Sequence, residues 1–158
     1  MAPLPILLCL LVAAAPAEAA KRDPWLWATV NVCDSATSPN AMGVRASMPG
    51  NRSRERMYMR FSAQWYSKAR KRWLRVEGAS SRWVRVGSAM PRYRQAGYTF
   101  EFDPPARGVF LVRGVVDYQW RKRRRGGRVL QRARRTTSRS PGTADEGEGI
   151  ARASCYIA

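Results

Sequence analysis

The sequence predicts an all-β fold, an antiparallel sandwich of about seven to nine strands preceded by a signal-peptide helix. Three observations lead there. Apolar and polar residues alternate over most of the chain. Gly, Pro, Asn and Ser clusters interrupt the alternation at short intervals. After the leader, no stretch spaces its apolar residues as one face of a helix.

The leader comes first. Leu4 to Ala15 is an almost unbroken apolar run, and Ala17-Glu18-Ala19 follows as a small-residue cleavage site. This reads as a signal peptide over residues 1–19, leaving 20–158 as a single domain. The run is too short for a bilayer, which needs about 20 apolar residues. No Lys or Arg precedes it and Lys21-Arg22 follows it, so the alternatives are a true start that lies upstream and a retained anchor. Cleavage removes Cys9 and leaves Cys33 and Cys155. In an oxidising compartment two cysteines imply one bridge; the alternative is two free buried thiols. Their terminal positions predict a clasp on the chain ends rather than a bridge between sheets. The expected location is secreted, extracellular or cell envelope, with nothing transmembrane after cleavage.

The strands follow. Trp25 to Cys33 alternates with Leu26, Ala28, Val30 and Val32 on one face. Met42, Val44, Ala46 and Met48 alternate next, ended by Pro49-Gly50. Met57, Met59, Phe61, Ala63 and Trp65 then alternate with Tyr58, Arg60, Ser62 and Gln64. Such patterns suit strands with one buried and one solvated face. Arg72-Trp73-Leu74-Arg75-Val76 recurs as Arg82-Trp83-Val84-Arg85-Val86, with Glu77-Gly78-Ala79-Ser80-Ser81 between, and predicts a hairpin. Tyr98, Phe100 and Phe102 form another inward face. The long run Val109 to Arg121 follows, with Phe110, Val112, Gly114, Val116, Tyr118 and Trp120 on one side. Gly126-Gly127 predicts a tight hairpin turn, Val129 to Thr137 returns, and Ile150 to Ile157 carries Cys155 on a last strand.

Several segments carry a resemblance. Tyr98-Thr99-Phe100-Glu101-Phe102-Asp103-Pro104-Pro105, then Gly108 and a long Val/Arg strand, resembles the region between the fifth and sixth strands of bacterial immunoglobulin-like and fibronectin type III-like modules. The wider layout resembles Arg-rich secreted proteins of GC-rich bacteria. It rests on Cys33, Arg45-Ala46-Ser47-Met48-Pro49-Gly50, Arg85-Val86-Gly87-Ser88, Gly126-Gly127-Arg128-Val129 and Ala153-Ser154-Cys155. The resemblance implies an immunoglobulin-like sandwich and assigns no activity.

Charge bounds the function. The chain has 29 basic and 11 acidic residues, a net +18. Nearly all the basic residues are Arg, which fits either a GC-rich genome or selection for guanidinium chemistry. A charge of this size attracts polyanions at long range and repels other copies of the chain. There is no His, which removes Ser-His-Asp and Cys-His catalysis and imidazole metal sites. No enzyme, cofactor or metal is expected.

The densest cluster is Arg121, Lys122, Arg123, Arg124, Arg125, Arg128, Arg132, Arg134 and Arg135, with Arg139 beyond. A ribbon tipped with Arg can bind phosphate or carboxylate bidentately; a merely solvated hairpin is the alternative. Trp73, Arg75, Trp83 and Arg85 form a possible exposed aromatic and cationic surface, set against Trp residues that cover a second core face. Glu101 and Asp117 are expected to face outward from neighbouring strands, as salt-bridge partners rather than an acid–base pair. Asp145, Glu146 and Glu148 form a weak calcium candidate, and Asn51-Arg52-Ser53 matches a glycosylation sequon. The leading expectation is a non-catalytic module that binds an anionic polymer or envelope surface through the Arg-rich hairpin. The alternative is a structural or protein–protein module of the envelope with incidental charge. Nucleic acid is not expected as the physiological partner.

Overall fold

The computed structural model describes residues 23–122, 124, 127–139 and 151–158. The expected signal peptide, Arg123, Arg125, Gly126 and the acidic residues Asp145, Glu146 and Glu148 lie outside the described residues.

Among the described residues the chain is all-β, with nine strands in two antiparallel sheets. The strands are β1 (Trp27–Ser35), β2 (Ser38–Pro49), β3 (Arg56–Ser67), β4 (Arg72–Ser80), β5 (Val84–Ser88), β6 (Tyr93–Glu101), β7 (Phe110–Arg121), β8 (Val129–Thr136) and β9 (Cys155–Ile157). One sheet runs β1-β2-β6. The other runs β4-β3-β7-β8, with β5 also on β3 and β9 also on β7.

The alternating residues meet across the core. Ala28, Val30, Met42, Val44, Ala46, Met48 and Phe100 come from the first sheet. Met57, Met59, Phe61, Ala63, Val112, Val116, Tyr118, Trp120 and Ile157 come from the second. Two polar atoms that reach this layer find partners across it. The Tyr118 hydroxyl donates to Trp27 O at 2.7 Å, and Trp120 Nε1 donates to Pro49 O at 3.1 Å. At Gly114 the sheets nearly touch: a Cβ there would lie 2.6 Å from Val44 Cγ2.

Two expectations about pairing need correction. The similar segments around Trp73 and Trp83 do not pair with each other. β4 lies beside Ser62–Ser67 of β3, and β5 beside Arg56–Met59 of the same strand. β4 itself bulges, so that Val76 to Ala79 stand opposite Ala63 alone. Ser81 repairs the edge there: its N–H donates to Phe61 O at 2.8 Å, and its Oγ accepts from Phe61 N–H at 2.9 Å. The β7–β8 hairpin is also wider than a two-residue turn. Lys122 N–H donates to Arg128 O at 3.0 Å, and the connection spans 122–128.

The cysteines are bridged, Cys33 to Cys155, with Cα atoms 5.4 Å apart. The bridge joins β1 of one sheet to β9 of the other, so it links the sheets as well as the chain ends. Simple alternation puts Cys33 on the opposite face from Val30. A β-bulge between Val30 and Val32 shifts the register, and Cys33 pairs with the inward Met42. The extra residue turns the thiol toward Cys155. Hydrogen bonds along the same side, Val30 with Arg152 and Ser138 with Ala28, extend the closure.

Candidate functional site

The outer face of the six-stranded sheet holds most of the predicted site. Alternation turns Tyr58 and Arg60 of β3 outward, with Asp117, Gln119 and Arg121 of β7 and Arg132 and Arg134 of β8. Register sets them in rows across the strands: Arg60, Asp117 and Arg134 in one, and Arg85, Tyr58, Gln119 and Arg132 in the next. Arg56 lies opposite Arg121 beyond them.

Asp117 is the organising carboxylate. Arg60 Nη2 donates to its Oδ2 at 2.9 Å, and Arg134 Nε donates to its Oδ1. Burial alone raises the Asp117 carboxyl, but the hydrogen bonds and charges of Arg134 and Arg60 outweigh it and hold the group below its ordinary value. The same bond raises Arg134. Asp117 therefore stays ionised and fixes two guanidinium groups in place.

Aromatic rings brace other arginines. The Arg60 guanidinium lies 4.9 Å from the Trp83 ring centroid. Arg121 lies 4.1 Å from that of Tyr58 and 5.1 Å from that of Trp83, while its Nε donates to Gln119 Oε1 at 2.8 Å. Between these groups is a shallow, open depression of about 440 Å³, lined by Arg60, Trp83, Asp117, Gln119, Arg132 and Arg134 among others.

The predicted residues separate accordingly. Arg121, Arg132 and Arg134 come together on this face, and Lys122, Arg124 and Arg128 belong to the hairpin beyond it. Arg135 does not join them: it pairs with the inward Val116, and its charge acts on the buried Tyr118 hydroxyl, which burial pushes up. Trp73 and Trp83 both stand on the outer side, but not stacked with Arg75 and Arg85. Arg113 covers Trp73 at 4.3 Å, with Tyr66 at the edge of its ring, and Arg60 and Arg121 cover Trp83. Arg75 and Arg85 are exposed. Glu101 is on β6 of the other sheet, so it and Asp117 are not on neighbouring strands. Asn51 Nδ2 donates to Glu55 Oε2 at 2.9 Å, and Asn51 Oδ1 accepts from Ser53 N–H.

Sequence reasoning missed Tyr58, Gln119 and Arg60 as partners of the cluster. The outward alternation of β3 was the available signal. Among the described residues no group of three or more acidic, His or Cys side chains is placed to hold a metal ion. The chain matches no protein-family model, no curated protein and no solved structure.

Proposed function

We propose that this is a secreted, non-catalytic module of immunoglobulin-like build that holds an anionic polymer on the outer face of its larger sheet and on the adjoining hairpin. The connectivity supports the build. Strands one, two and the later β6 share one sheet, while β3, β7 and β8 share the other, as in immunoglobulin-type layouts. The disulfide and the apolar leader support secretion.

One observation carries the binding reading. The carboxylate of Asp117 is consumed by Arg60 and Arg134, and Arg132 beside them has no acidic partner among the described residues. Arg85, Lys122, Arg124 and Arg128 extend the same cationic side. Arg121 is held by stacking and by Gln119, so less side-chain freedom is lost when its remaining donors meet phosphate, sulfate or carboxylate. An open depression suits a chain lying across the sheet better than a small molecule enclosed in a cavity.

The test is retention on immobilised heparin as salt rises. The triple variant Arg124→Gln, Arg128→Gln, Arg132→Gln is expected to elute at clearly lower salt. A control variant loses the same charge elsewhere, through Arg82→Gln, Arg107→Gln and Arg139→Gln, and is expected to elute near the parent. Equal losses in both variants would mean that net charge alone drives binding and would overturn the site.

A further inference from the structure

The opposite end of the same sheet carries a second basic cluster in different surroundings. β3 turns into β4 through Lys68-Ala69-Arg70-Lys71, and Arg72 opens β4. All five residues are exposed. The turn is ordered rather than loose: Arg70 N–H donates to Ser67 Oγ at 3.2 Å. Lys71 has φ 49°, a left-handed conformation that glycine adopts more cheaply. A lysine stands where its backbone costs something. None of these four cations has an ion pair among the described residues.

Exposed apolar side chains adjoin the turn. Trp65 pairs with Val112, so the last residue of β3, Ser67, falls beside the start of β7. There Val109 is 51% exposed, and Phe110, opposite the buried Ile157 at the inner rim of the sheet, is 41% exposed. Leu111 pairs with Tyr156, which is 62% exposed and on the outer side of β9. Other large exposed apolar residues are dispersed, such as Met90 and Leu130 in separate parts of the chain. Among the described residues, the acids toward this end are Glu101 at the close of β6, Asp103 on the connection after it, and Asp34, whose carboxylate accepts from Asn40 N–H and Ala158 N–H.

We propose that this end of the molecule seats on an anionic lipid surface. Val109 and Tyr156 enter the boundary between headgroups and acyl chains, and Lys68, Arg70, Lys71 and Arg72 meet the lipid phosphates around them. A hydrated linear polyanion satisfies the cations but leaves the apolar side chains in water. A bilayer interface accepts both, because Lys and Arg stems lie along apolar surface while their charged heads stay at the phosphates. The hairpin end faces the other way along β3 and β7, whose 12 residues each separate the two clusters by roughly 35–40 Å. A chain seated by its turn therefore leaves its hairpin free.

Sedimentation with vesicles of phosphatidylcholine plus phosphatidylglycerol tests this on the full chain. The double variant Val109→Ser, Tyr156→Ser keeps all charge and is expected to lower partitioning by about tenfold. The triple variant Lys68→Gln, Arg70→Gln, Arg72→Gln is expected to lower it by roughly a hundredfold, at about fivefold for each cation near the surface. Circular dichroism checks that each variant keeps its strands. Retention of the apolar double variant on heparin is expected to be unchanged, which separates this proposal from polymer binding by the hairpin. Partitioning that ignores the apolar double variant, or a loss from Arg124→Gln, Arg128→Gln, Arg132→Gln as large as that from the turn triple, overturns the proposal.

Discussion

The two ends of the larger sheet carry similar charge and opposite construction. At the hairpin end, Arg60, Arg121 and Arg134 are each fixed by something: the Asp117 carboxylate, the rings of Tyr58 and Trp83, or the Gln119 amide. At the turn end, Lys68, Arg70, Lys71 and Arg72 stand in solvent beside Val109, Phe110 and Tyr156. Charge density alone cannot distinguish these ends. What surrounds each cation does. Braced guanidinium groups present a fixed pattern of donors, whereas long free stems beside apolar side chains adapt to a soft surface.

The comparison can be broken from the turn end first. Cys33 and Cys155 lie in its half of the molecule, since Cys33 is two residues from the end of β1 and Cys155 pairs with Val112 near the start of β7. Replacing both by Ser is expected to cost about 5 kcal/mol on a chain-entropy view of a loop closed over 122 residues. Hydrogen exchange in that variant should rise first in β1 and β9, while β3, β7 and β8 keep their protection. Uniform loss of protection would show that the ends do not differ in this way.

A smaller effect tests the hairpin end. Asp117→Asn removes the charge that holds Arg60 and Arg134 and is expected to cost about 1–2 kcal/mol in thermal or urea unfolding at neutral pH. Its pH dependence has a definite sign. The carboxyl is depressed in the folded chain, so its contribution is complete above the ordinary value of 3.8 and is lost as pH falls below that value. The gap between parent and variant should therefore close in acid. A gap that stays constant down to pH values well below 3.8 would assign the loss to packing instead.

The smallest effect returns to the turn. Lys71→Gly relieves the left-handed backbone and is expected to stabilise by less than about 1 kcal/mol, because glycine also loses more freedom on folding. The same variant should partition less well to phosphatidylglycerol vesicles. A change that improves stability and weakens binding would mark the lysine as retained for its charge.

Much of this architecture is legible in the residues. Met57, Met59, Phe61 and Ala63 announce their strand because a two-residue period is enforced by one buried face. The bridge follows from counting cysteines once the apolar N-terminal run is read as a leader that takes Cys9 with it. Its inter-sheet placement was not legible, because it depends on a bulge near Asn31 that no local residue type specifies. The hairpin expected around Gly78 failed for a related reason. Two short, similar segments separated by a glycine look self-complementary, yet both pair with β3, the first through a short turn and the second across a longer stretch of chain. At the candidate site, Arg121 to Arg128 stood out as a nearly continuous basic run. Lys68 to Arg72 did not, because Ala69 interrupts it and its apolar neighbours come from Val109, Phe110 and Tyr156, which only the fold brings near.

The bulge within β4 has a practical consequence. Four residues there face one on the neighbouring strand, and a side chain added at Gly78 would meet nothing within 4 Å. The chain has already absorbed extra length at that point, with Ser81 restoring the edge behind it. An epitope or affinity tag spliced between Glu77 and Ala79 would project from the sheet edge, away from both basic ends. It would allow the molecule to be immobilised with the hairpin and the turn equally accessible.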